Sequence, residues 1–297
     1  MNPRLSFTLI TYNRCDDLIE AVESILEQEY TDYEIVIVSN STDETPEVFA
    51  NGGEYDRTPI RFFQFDGRMG VDKARNIAAE KAKGDILVTI DDDAIFTQTD
   101  AARQVDHLFS EKPNVGALAF QIRDFHTGEI QEYPYSDKDR DPDERSLTSY
   151  YIGCGHAIRR DVFFEAGGYP GDFMYDAEEL DFSYRMIDNG HDILYCPSIV
   201  IQHKRTVGGR FDDNILVQKQ VENRLRFAIQ NLPWRYAVPY TIVWTGFSLY
   251  QSCFDVRSVG KAFLAVSRDF DDLLGKRAPI KRETVEYLKE HGGRLFY

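Results

Sequence analysis

Three consecutive carboxylates, Asp91, Asp92 and Asp93, are the residues of this sequence with the clearest capacity for chemistry. They follow a largely apolar run at residues 86–90. This pattern predicts a buried strand that ends at the carboxyl edge of a sheet, where open α/β folds bind ligands. A Mg²⁺ or Mn²⁺ ion shared with substrate phosphates would relieve the repulsion among the three anions and neutralise a diphosphate leaving group. An isolated triplet also fits a solvated turn, so its interpretation depends on the rest of the chain.

The elements that must position this triplet alternate between strand and helix along the chain. Strands are predicted at residues 5–10, 34–38, 60–65, 86–90 and 115–122, and helices from residue 16 or 17, at 71–83 and at 100–109. This order predicts an α/β fold with a doubly wound, mostly parallel sheet and helices on both faces. The polar stretch 123–149 is expected to be a functional lid or a disordered insertion. No GxGxxG motif follows the first strand, which disfavours a dinucleotide-binding dehydrogenase.

Composition limits the partners of this chain. Its 50 acidic and 34 basic residues give a formal charge of −16, which argues against broad nucleic-acid binding. The acidic composition, with only eleven Lys, resembles that of proteins from salt-loving archaea. The four cysteines form no CxxC pair, so neither a zinc ribbon nor a disulfide framework is indicated. The N-terminal residues lack the apolar segment of a signal peptide, and a cytoplasmic protein is expected.

From residue 5 to about residue 203 the chain resembles the family 2 inverting glycosyltransferases of the GT-A fold. Each motif that carries the resemblance is weak alone, whereas their joint order is specific. The motifs are TYNR at 11–14, VSNSTD at 38–43, GVDKARN at 70–76, DDD at 91–93, GCGHAIRR at 153–160, GGY at 167–169 and EELDFSYR at 178–185. The resemblance implies a nucleotide-sugar-binding and catalytic GT-A domain at residues 1–210, followed by a C-terminal helical region at 211–297.

The resemblance also implies roles for individual residues. Nucleotide contacts are expected from Thr11, Tyr12, Asn13, Arg14, Ser39, Arg75, Asp91 and Asp92. Asp93 would bind Mn²⁺ or Mg²⁺, with Asp91 and His203 as further ligands, although a lone histidine at a strand end is often structural. Arg75 could instead form an ion pair on a helix surface. The family usually has Asp where this chain has Ser39. Because that Asp contacts the nucleobase of uridine nucleotides, the nucleobase of the donor is not determined by the sequence.

Inverting transfer is a single displacement in which a carboxylate removes the proton of the acceptor hydroxyl. The family places an acidic pair at the start of a helix, and here the pair is Glu178 and Glu179, with Glu179 assigned as the base. Glu178 and Asp176 are the runners-up. A structural alternative is a capping box, in which Asp176 caps the helix and Glu179 reaches back from the third helical position.

The acceptor pocket is expected to border the glycine-rich segment at 153–160. Gly155 and His156 are the residues predicted to contact the acceptor. Gly153 and Gly155 would allow a sugar to approach the backbone closely.

The chain beyond residue 210 has a helical pattern, and residues 236–254 carry no charge. Their polar side chains make a lone membrane-spanning helix unfavourable. An aromatic stripe at helical spacing suits either a membrane interface or packing on the catalytic domain. It comprises Tyr240, Trp244, Phe247, Tyr250 or Gln251, and Phe254. Flanking basic residues favour peripheral contact with the inner face of the cell membrane.

The resemblance favours one function over two alternatives. The preferred function is metal-dependent, inverting transfer of a sugar from a nucleotide diphosphate sugar to a hydroxyl of a glycan acceptor. The acceptor would be lipid-linked, in surface glycan synthesis or protein glycosylation. A polyprenyl-phosphate sugar synthase would use a phosphate nucleophile and would not need Glu179 as a base. A non-catalytic module that binds sugar nucleotides or glycans is the alternative of another class.

Overall fold

The computed structural model describes residues 2–50, 52–136, 140–206, 208 and 213–296. The predicted division of the chain at residue 210 therefore lies outside the described residues and stays a prediction. The strands are β1 Leu5–Thr11, β2 Tyr33–Ser39, β3 Ile60–Gln64, β4 Ile86–Ile90, β5 Ala94–Phe96, β6 Val115–Asp124, β7 Ile130–Glu132, β8 Ser146–Thr148, β9 Gly155–Arg159 and β10 Asp192–His203. The helices are α1 Cys15–Leu26, α2 Thr45–Phe49, α3 Val71–Lys81, α4 Ala101–Glu111, α5 Arg160–Glu165, α6 Glu178–Asp188, α7 Asp213–Asn231, α8 Trp234–Gln251, α9 Val256–Arg268, α10 Phe270–Gly275 and α11 Arg282–Glu290.

These strands form one sheet in the order β3-β2-β1-β4-β9-β6-β10-β5, with β7 beside β6 and β8 beside β10. The pairs β1 with β2, β1 with β4, β2 with β3 and β6 with β10 are parallel. Nearly every residue of β1, β2 and β4 is buried, as expected for strands with helices on both faces. The predicted α/β fold, a doubly wound and mostly parallel sheet with C-terminal helices, is confirmed.

Two parts of the sheet differ from the prediction. The segment that begins at Gly155 forms β9, which lies antiparallel between β4 and β6. The polar stretch 123–149 contains the end of β6 and the short strands β7 and β8, although residues 137–139 lie outside the described part. The described part of this stretch therefore adds strands to the sheet, unlike the predicted lid or disordered insertion.

The chain order reverses at β1, which has β2 on one side and β4 on the other. Such a switch point opens a crevice at the carboxyl ends of the two strands, and ligands of α/β folds bind there. The loop after β1 begins with Tyr12, and the loop after β4 begins with Asp91. The first motif and the acidic triplet are therefore brought together by the topology of the sheet.

The C-terminal helices share a hydrophobic core with the sheet domain. Tyr184 of α6, Phe227 of α7 and Tyr240 of α8 are fully buried in one cluster. Their rings contact in sequence, with centroids 5.3 Å apart between Tyr184 and Phe227 and 5.5 Å apart between Phe227 and Tyr240. Burial of three large rings is a strong source of stability, so α7 and α8 are anchored to α6.

The aromatic stripe of α8 is divided between core and surface. Tyr240 is buried and Trp244 is partly buried, as packing on the catalytic domain requires. Phe247, Tyr250 and Phe254 are exposed, with 43%, 73% and 69% of their surfaces accessible. In the described part of the chain, none of the helices combines the length and the apolarity needed to cross a bilayer.

Candidate active site

A cavity of about 410 Å³ opens at the carboxyl edge of the sheet. Both acidic clusters line it: the triplet that follows β4, and the pair Glu178 and Glu179 at the start of α6. These clusters are more than eighty positions apart in the chain and meet across one cavity. The cavity has the size expected for a small-molecule site.

Asp91, Asp93 and His203 form a group that could hold a metal ion. Their ligand atoms all lie within 4.8 Å of one another. The antiparallel pairing of β5 with the end of β10 places His203 opposite Ala94, the residue next to Asp93. His203 Nε2 consequently lies 3.3 Å from Asp93 Oδ1.

The chemistry of this group fits a divalent cation. Two carboxylates and an imidazole are oxygen and nitrogen ligands that Mn²⁺ or Mg²⁺ accepts. His203 Nδ1 lies 2.9 Å from Gln131 Oε1 and can donate to it, while Nε2 donates to Asp93 when it is protonated and would offer its lone pair to a bound cation when it is not. Burial opposes ionisation of Asp93, but the hydrogen bond with His203 and the charge of Arg14 lower the pKa of this carboxyl.

Arg14 pairs with the carboxylates of both Asp92 and Asp93, and it lies closer to Asp92. Asp92 Oδ1 accepts a hydrogen bond of 2.8 Å from Arg14 Nη1, and only 5% of Asp92 is exposed. Burial raises the pKa of Asp92 to about 7, although the charge of Arg14 opposes the shift. Arg14 also donates to the carbonyl oxygens of Thr206 and Gly208. Asp92 and Arg14 line the cavity, and the contacts of Arg14 hold the segment that follows β10.

Arg75 of α3 connects the two acidic clusters. Its Nη2 lies 3.0 Å from Asp91 Oδ1, and its Nη1 lies 2.8 Å from Glu179 Oε1 and 3.3 Å from Glu178 Oε1. Burial opposes the charged form, but Asp91 and Glu179 outweigh it and raise the pKa of Arg75 well above its usual value. Arg75 is 6% exposed, so the alternative of an ion pair on a helix surface is wrong.

The glutamate pair begins α6 without a capping box. The N-cap is Ala177, in the left-handed conformation with φ 70°, and no side chain caps the helix. Asp176 instead pairs with Arg224 of α7, with 3.1 Å between its Oδ2 and Arg224 Nε. The capping-box alternative is therefore wrong. The carboxylates of Glu178 and Glu179 lie in the first turn, where the helix dipole favours negative charge.

The two glutamates differ in exposure and in electrostatics. The side chain of Glu178 is 3% exposed and that of Glu179 is 18% exposed. Burial raises the pKa of Glu178 well above its usual value, and the charge of Glu179 raises it further. Burial also raises the pKa of Glu179, while Arg75 opposes that shift. Glu179 is thus the more accessible of the two.

Gly153 leaves room for the Glu179 carboxylate. A Cβ atom at this position would overlap Glu179 Oε1 and would lie 3.0 Å from both Arg75 Nη atoms. The Gly153 carbonyl also accepts a hydrogen bond of 3.0 Å from Arg75 Nη2. Any side chain at residue 153 would therefore displace Glu179, Arg75 or both.

The loop that leads into α6 is held from both sides. Met174, Asp176 and Ala177 adopt positive φ values, between 67° and 70°, which are costly for residues other than glycine. The Asp72 carboxylate accepts hydrogen bonds from the backbone N–H groups of Phe173 and Met174.

Asn223 of α7 secures the other side of this loop. This residue is fully buried, and its Nδ2 lies 2.6–3.0 Å from the carbonyl oxygens of residues 173, 175 and 176. No sequence pattern pointed to Asn223. It stands between Glu222 and Arg224 in a polar part of α7, so its polarity alone gave no signal.

The residues predicted to contact nucleotide fall into two groups. Thr11, Tyr12 and Arg14 line the cavity, as do Arg75, Asp91 and Asp92. Asn13 and Ser39 do not line it, and their contact with nucleotide stays a prediction. Asn13 ties the loop after β1 to the loop after β2, since its Oδ1 accepts from Thr42 N at 2.7 Å. Ser39 is fully buried, and its hydroxyl accepts from Ser41 N at 3.1 Å.

Two further residues that line the cavity, Asn40 and Arg68, were not predicted from the sequence. Asn40 lines the cavity one position after Ser39, and its Nδ2 donates to the carbonyl of Gly67 at 2.9 Å. Arg68 lies over the ring of Tyr12, 4.5 Å from its centroid. Asn40 belongs to the VSNSTD motif at 38–43, whereas Arg68 lies in a loop with no distinctive pattern.

The predicted acceptor contacts of Gly155 and His156 are not supported by the structure. Both residues belong to β9 and are buried, and neither lines the cavity. The His156 ring stacks on Tyr151 with centroids 4.2 Å apart, and its Nε2 lies 3.1 Å from the Tyr169 hydroxyl. Burial lowers the pKa of His156 well below its usual value, with Arg75 adding to the effect, so this histidine is a neutral core residue.

Comparison with known proteins adds the family context. The sequence model of a family described as glycosyl transferase family 2 matches residues 6–166, just over half of the chain. The O-antigen chain rhamnosyltransferase RfbN of Salmonella typhimurium is 25% identical, over 67% of this chain and 66% of RfbN. The glucosyl-dolichyl phosphate glucuronosyltransferase of Haloferax volcanii is 25% identical, over 68% of this chain and 69% of that protein.

Solved structures share the fold. GalNAc-T7, determined with UDP, GalNAc and Mn²⁺, has a TM-score of 0.67 and 20% identity, over 82% of this chain and 51% of that one. The mannosyltransferase PcManGT of Pyrobaculum calidifontis, determined with GDP-Man and Mn²⁺, has a TM-score of 0.56 and 18% identity. That match covers 98% of this chain and 79% of PcManGT.

Proposed function

This chain belongs to glycosyltransferase family 2, and on that premise we propose that it is an inverting enzyme. It transfers a sugar from a nucleotide diphosphate sugar to a hydroxyl of a glycan acceptor. In this proposal the acceptor is linked to a lipid, and the product enters surface glycan synthesis or protein glycosylation. The names of the two relatives, which refer to the O-antigen chain and to dolichyl phosphate, support this choice.

One observation carries the proposal: a single cavity joins a candidate cation group to a glutamate pair. Asp91, Asp93 and His203 lie on one side of Arg75, and Glu178 and Glu179 lie on the other. A transferase that inverts by direct displacement needs a site for the leaving diphosphate and a base for the acceptor, with the sugar between them. The cavity provides both sites.

The residues would divide the work as follows. Asp91, Asp93 and His203 would hold Mn²⁺ or Mg²⁺, which when bound supplies electrostatic stabilisation of the leaving diphosphate. Tyr12, Asn40 and Arg68 border the end of the cavity where the nucleotide would lie. Mn²⁺ in the structures of GalNAc-T7 and PcManGT supports the choice of ion.

Glu179 removes the proton of the acceptor hydroxyl in this proposal. Its exposure allows a substrate to reach the carboxylate, and burial moves its pKa upward, towards the range in which a general base works at neutral pH. Arg75 keeps the carboxylate ionised and oriented. Glu178 is nearly inaccessible and serves instead as a second carboxylate partner for Arg75.

A panel of nucleotide sugars tests the proposal. UDP-, GDP- and dTDP-linked sugars are added with Mn²⁺ or with EDTA, and the melting temperature is recorded. We expect one nucleotide class to raise it by about 5 °C at a hundred times its Kd with Mn²⁺, and by much less with EDTA. NMR of the transfer product then gives its anomeric configuration. Absence of stabilisation by every donor would contradict the proposal, and donor binding without turnover would favour a non-catalytic binding module.

The proposal includes peripheral contact with the inner face of the cell membrane through residues 236–254. Phe247, Tyr250 and Phe254 form the exposed part of the aromatic stripe, and Arg257 and Lys261 follow on the exposed surface of α9. Aromatic rings beside basic side chains suit an anionic lipid surface. Sedimentation with anionic vesicles measures the contact. We expect the chain in the pellet with anionic lipid, and a chain that stays in the supernatant would remove this part of the proposal.

A further inference from the structure

The end of the cavity away from Tyr12 and Arg68 has a distinct composition. It is lined by Tyr150, which follows β8, by Arg224 of α7 and by Arg294, which follows α11. In the sheet, β1, β2 and β3 lie on one side of β4, and β6, β8 and β10 lie on the other. The residues of the predicted nucleotide end therefore follow strands on the β1–β3 side of β4, whereas Tyr150 follows a strand on the other side.

Only one of the two arginines at the second end is paired with a carboxylate. Five arginines line the cavity in the described structure. Arg14 and Arg75 are paired with the acidic clusters, and Arg224 is paired with Asp176. Arg294 differs, since no carboxylate of the described residues lies within 4.0 Å of its guanidinium.

Aromatic rings hold the Arg294 guanidinium in place instead. Its Cζ lies 4.5 Å from the centroid of the Tyr150 ring and 5.8 Å from that of Trp244. Arg224 Cζ lies 3.7 Å from the same Trp244 ring. Two guanidinium groups therefore flank one indole, while Asp176 neutralises only one of them. Cation–π contacts orient such groups, but they do not replace an anion.

We propose that Arg294, together with Arg224 and Tyr150, forms a subsite for a phosphate group carried by the acceptor. This inference rests on the proposed function. The planar guanidinium is the side chain best suited to bind phosphate through two hydrogen bonds. The diphosphate of the donor lies at the candidate cation group in the proposed arrangement. A phosphate at Arg294 therefore belongs to the second substrate.

The same chemistry could come from a lipid phosphate or from a glycosyl phosphate in solution. Trp244 contacts Phe247, with ring centroids 5.4 Å apart, and Phe247 is 43% exposed. The aromatic rings beside the two arginines therefore continue to an exposed phenyl ring, against which a hydrocarbon chain attached to the phosphate would pack. The experiment has one arm for each source.

Binding at this subsite is measured by the fluorescence of Trp244. The chain has two tryptophans, so Trp234→Phe leaves Trp244 as its single indole. This variant is titrated with n-octyl phosphate, with inorganic phosphate and with the neutral n-octyl β-glucoside. A chelator is present, so no cation recruits phosphate to Asp91 and Asp93. We expect a saturable change in Trp244 fluorescence with both phosphates and none with the glucoside.

Substitutions at Arg294 test its part in binding. In the same background, Arg294→Gln is expected to weaken phosphate binding about tenfold or more, since a charged hydrogen-bond partner is lost. Arg294→Lys keeps the charge without the planar fork and is expected to lose less. Arg282→Gln, at an exposed arginine of α11, is the matched control and should bind as the parent does. If Arg294→Gln does not fold, the comparison of Arg294→Lys with Arg282→Gln decides.

Each outcome has a defined meaning. Tighter binding of octyl phosphate than of inorganic phosphate supports the subsite with a lipid-linked source, and equal binding supports it with a soluble source. No saturable response to either phosphate, glucoside binding equal to octyl phosphate binding, or unchanged affinity in both Arg294 variants overturns the inference. The assay needs neither donor nor turnover, so its result is separate from that of the nucleotide-sugar panel.

Discussion

Glu179→Gln is expected to lower kcat for glycosyl transfer by about a thousandfold and to leave donor affinity within about twofold. General-base catalysis contributes about 10²–10⁴ to a rate, and the amide cannot accept the proton of the hydroxyl. The amide retains the size of the carboxylate, so the loop and Arg75 should keep their places. Initial rates give kcat, and thermal stabilisation by the donor in Mn²⁺ gives the binding control.

Glu178→Gln and Glu283→Gln are the comparisons for this variant. Glu178 lies next to the base but is nearly inaccessible, so its substitution should reduce kcat far less. Glu283 is exposed on α11, away from the cavity, and its substitution should change nothing. Near-normal turnover in Glu179→Gln would place the base elsewhere. That result would also favour the polyprenyl-phosphate sugar synthase, because a phosphate nucleophile needs no base.

The pH dependence of the parent enzyme provides a second test of Glu179. Burial raises the pKa of this carboxyl above the usual value of 4.5. A base must be ionised, so activity is expected to fall as the pH drops through that raised pKa. The acid limb of the kcat profile should therefore lie above pH 4.5. It should disappear from the residual rate of Glu179→Gln, and a limb that persists there would belong to another group.

Asp93→Asn is expected to lower activity at saturating Mn²⁺ by about 10²–10³. A cation at a developing charge is worth several kcal/mol, and Asp93 is the buried carboxylate of the candidate cation group. The amide can still accept the hydrogen bond that the carboxylate accepts from Thr206 N, which limits the structural damage. The Mn²⁺ concentration giving half-maximal activity should rise as well, because one anionic ligand is lost.

An exposed aspartate serves as the control for this substitution. Asp271→Asn, on α10, removes the same charge far from the cavity and should leave both activity and Mn²⁺ dependence unchanged. The measurement is a Mn²⁺ titration of initial rates in the two variants and the parent. If Asp93→Asn keeps the parent's Mn²⁺ dependence, Asp93 is not a ligand of the ion.

Local patterns in the sequence were sufficient to predict the part of the fold that surrounds the acidic triplet. The buried run of β4 and the loop residues after β1 could be recognised because parallel strands bring their carboxyl ends to one edge. The antiparallel strand β9 could not, because nothing in the sequence near His156 specifies its insertion between β4 and β6. Because this strand was not predicted, His156 was assigned to the acceptor pocket rather than to the buried core.

Local patterns also could not predict the contacts through which Arg75 joins the two acidic clusters. The hydrogen bonds of Arg75 join residues that are 103 and 104 positions apart in the chain. Sequence motifs indicated that Arg75 and Glu179 matter, but no spacing indicated that one binds the other. Gly153 is a similar case, since the reason for a glycine is a carboxylate that arrives from α6.

Asn223 binds the loop that precedes Glu178 and Glu179, and this contact matters for building chimaeras with related enzymes. A graft that replaced α7 by a helix without an asparagine at position 223 would remove the amide that holds residues 173, 175 and 176, and Glu178 and Glu179 would lose part of their support. A transplant that keeps Asn223 with the loop must also keep Asp72, which holds residues 173 and 174 from the other side. The loop, α7 and the start of α3 therefore form one unit for such an exchange.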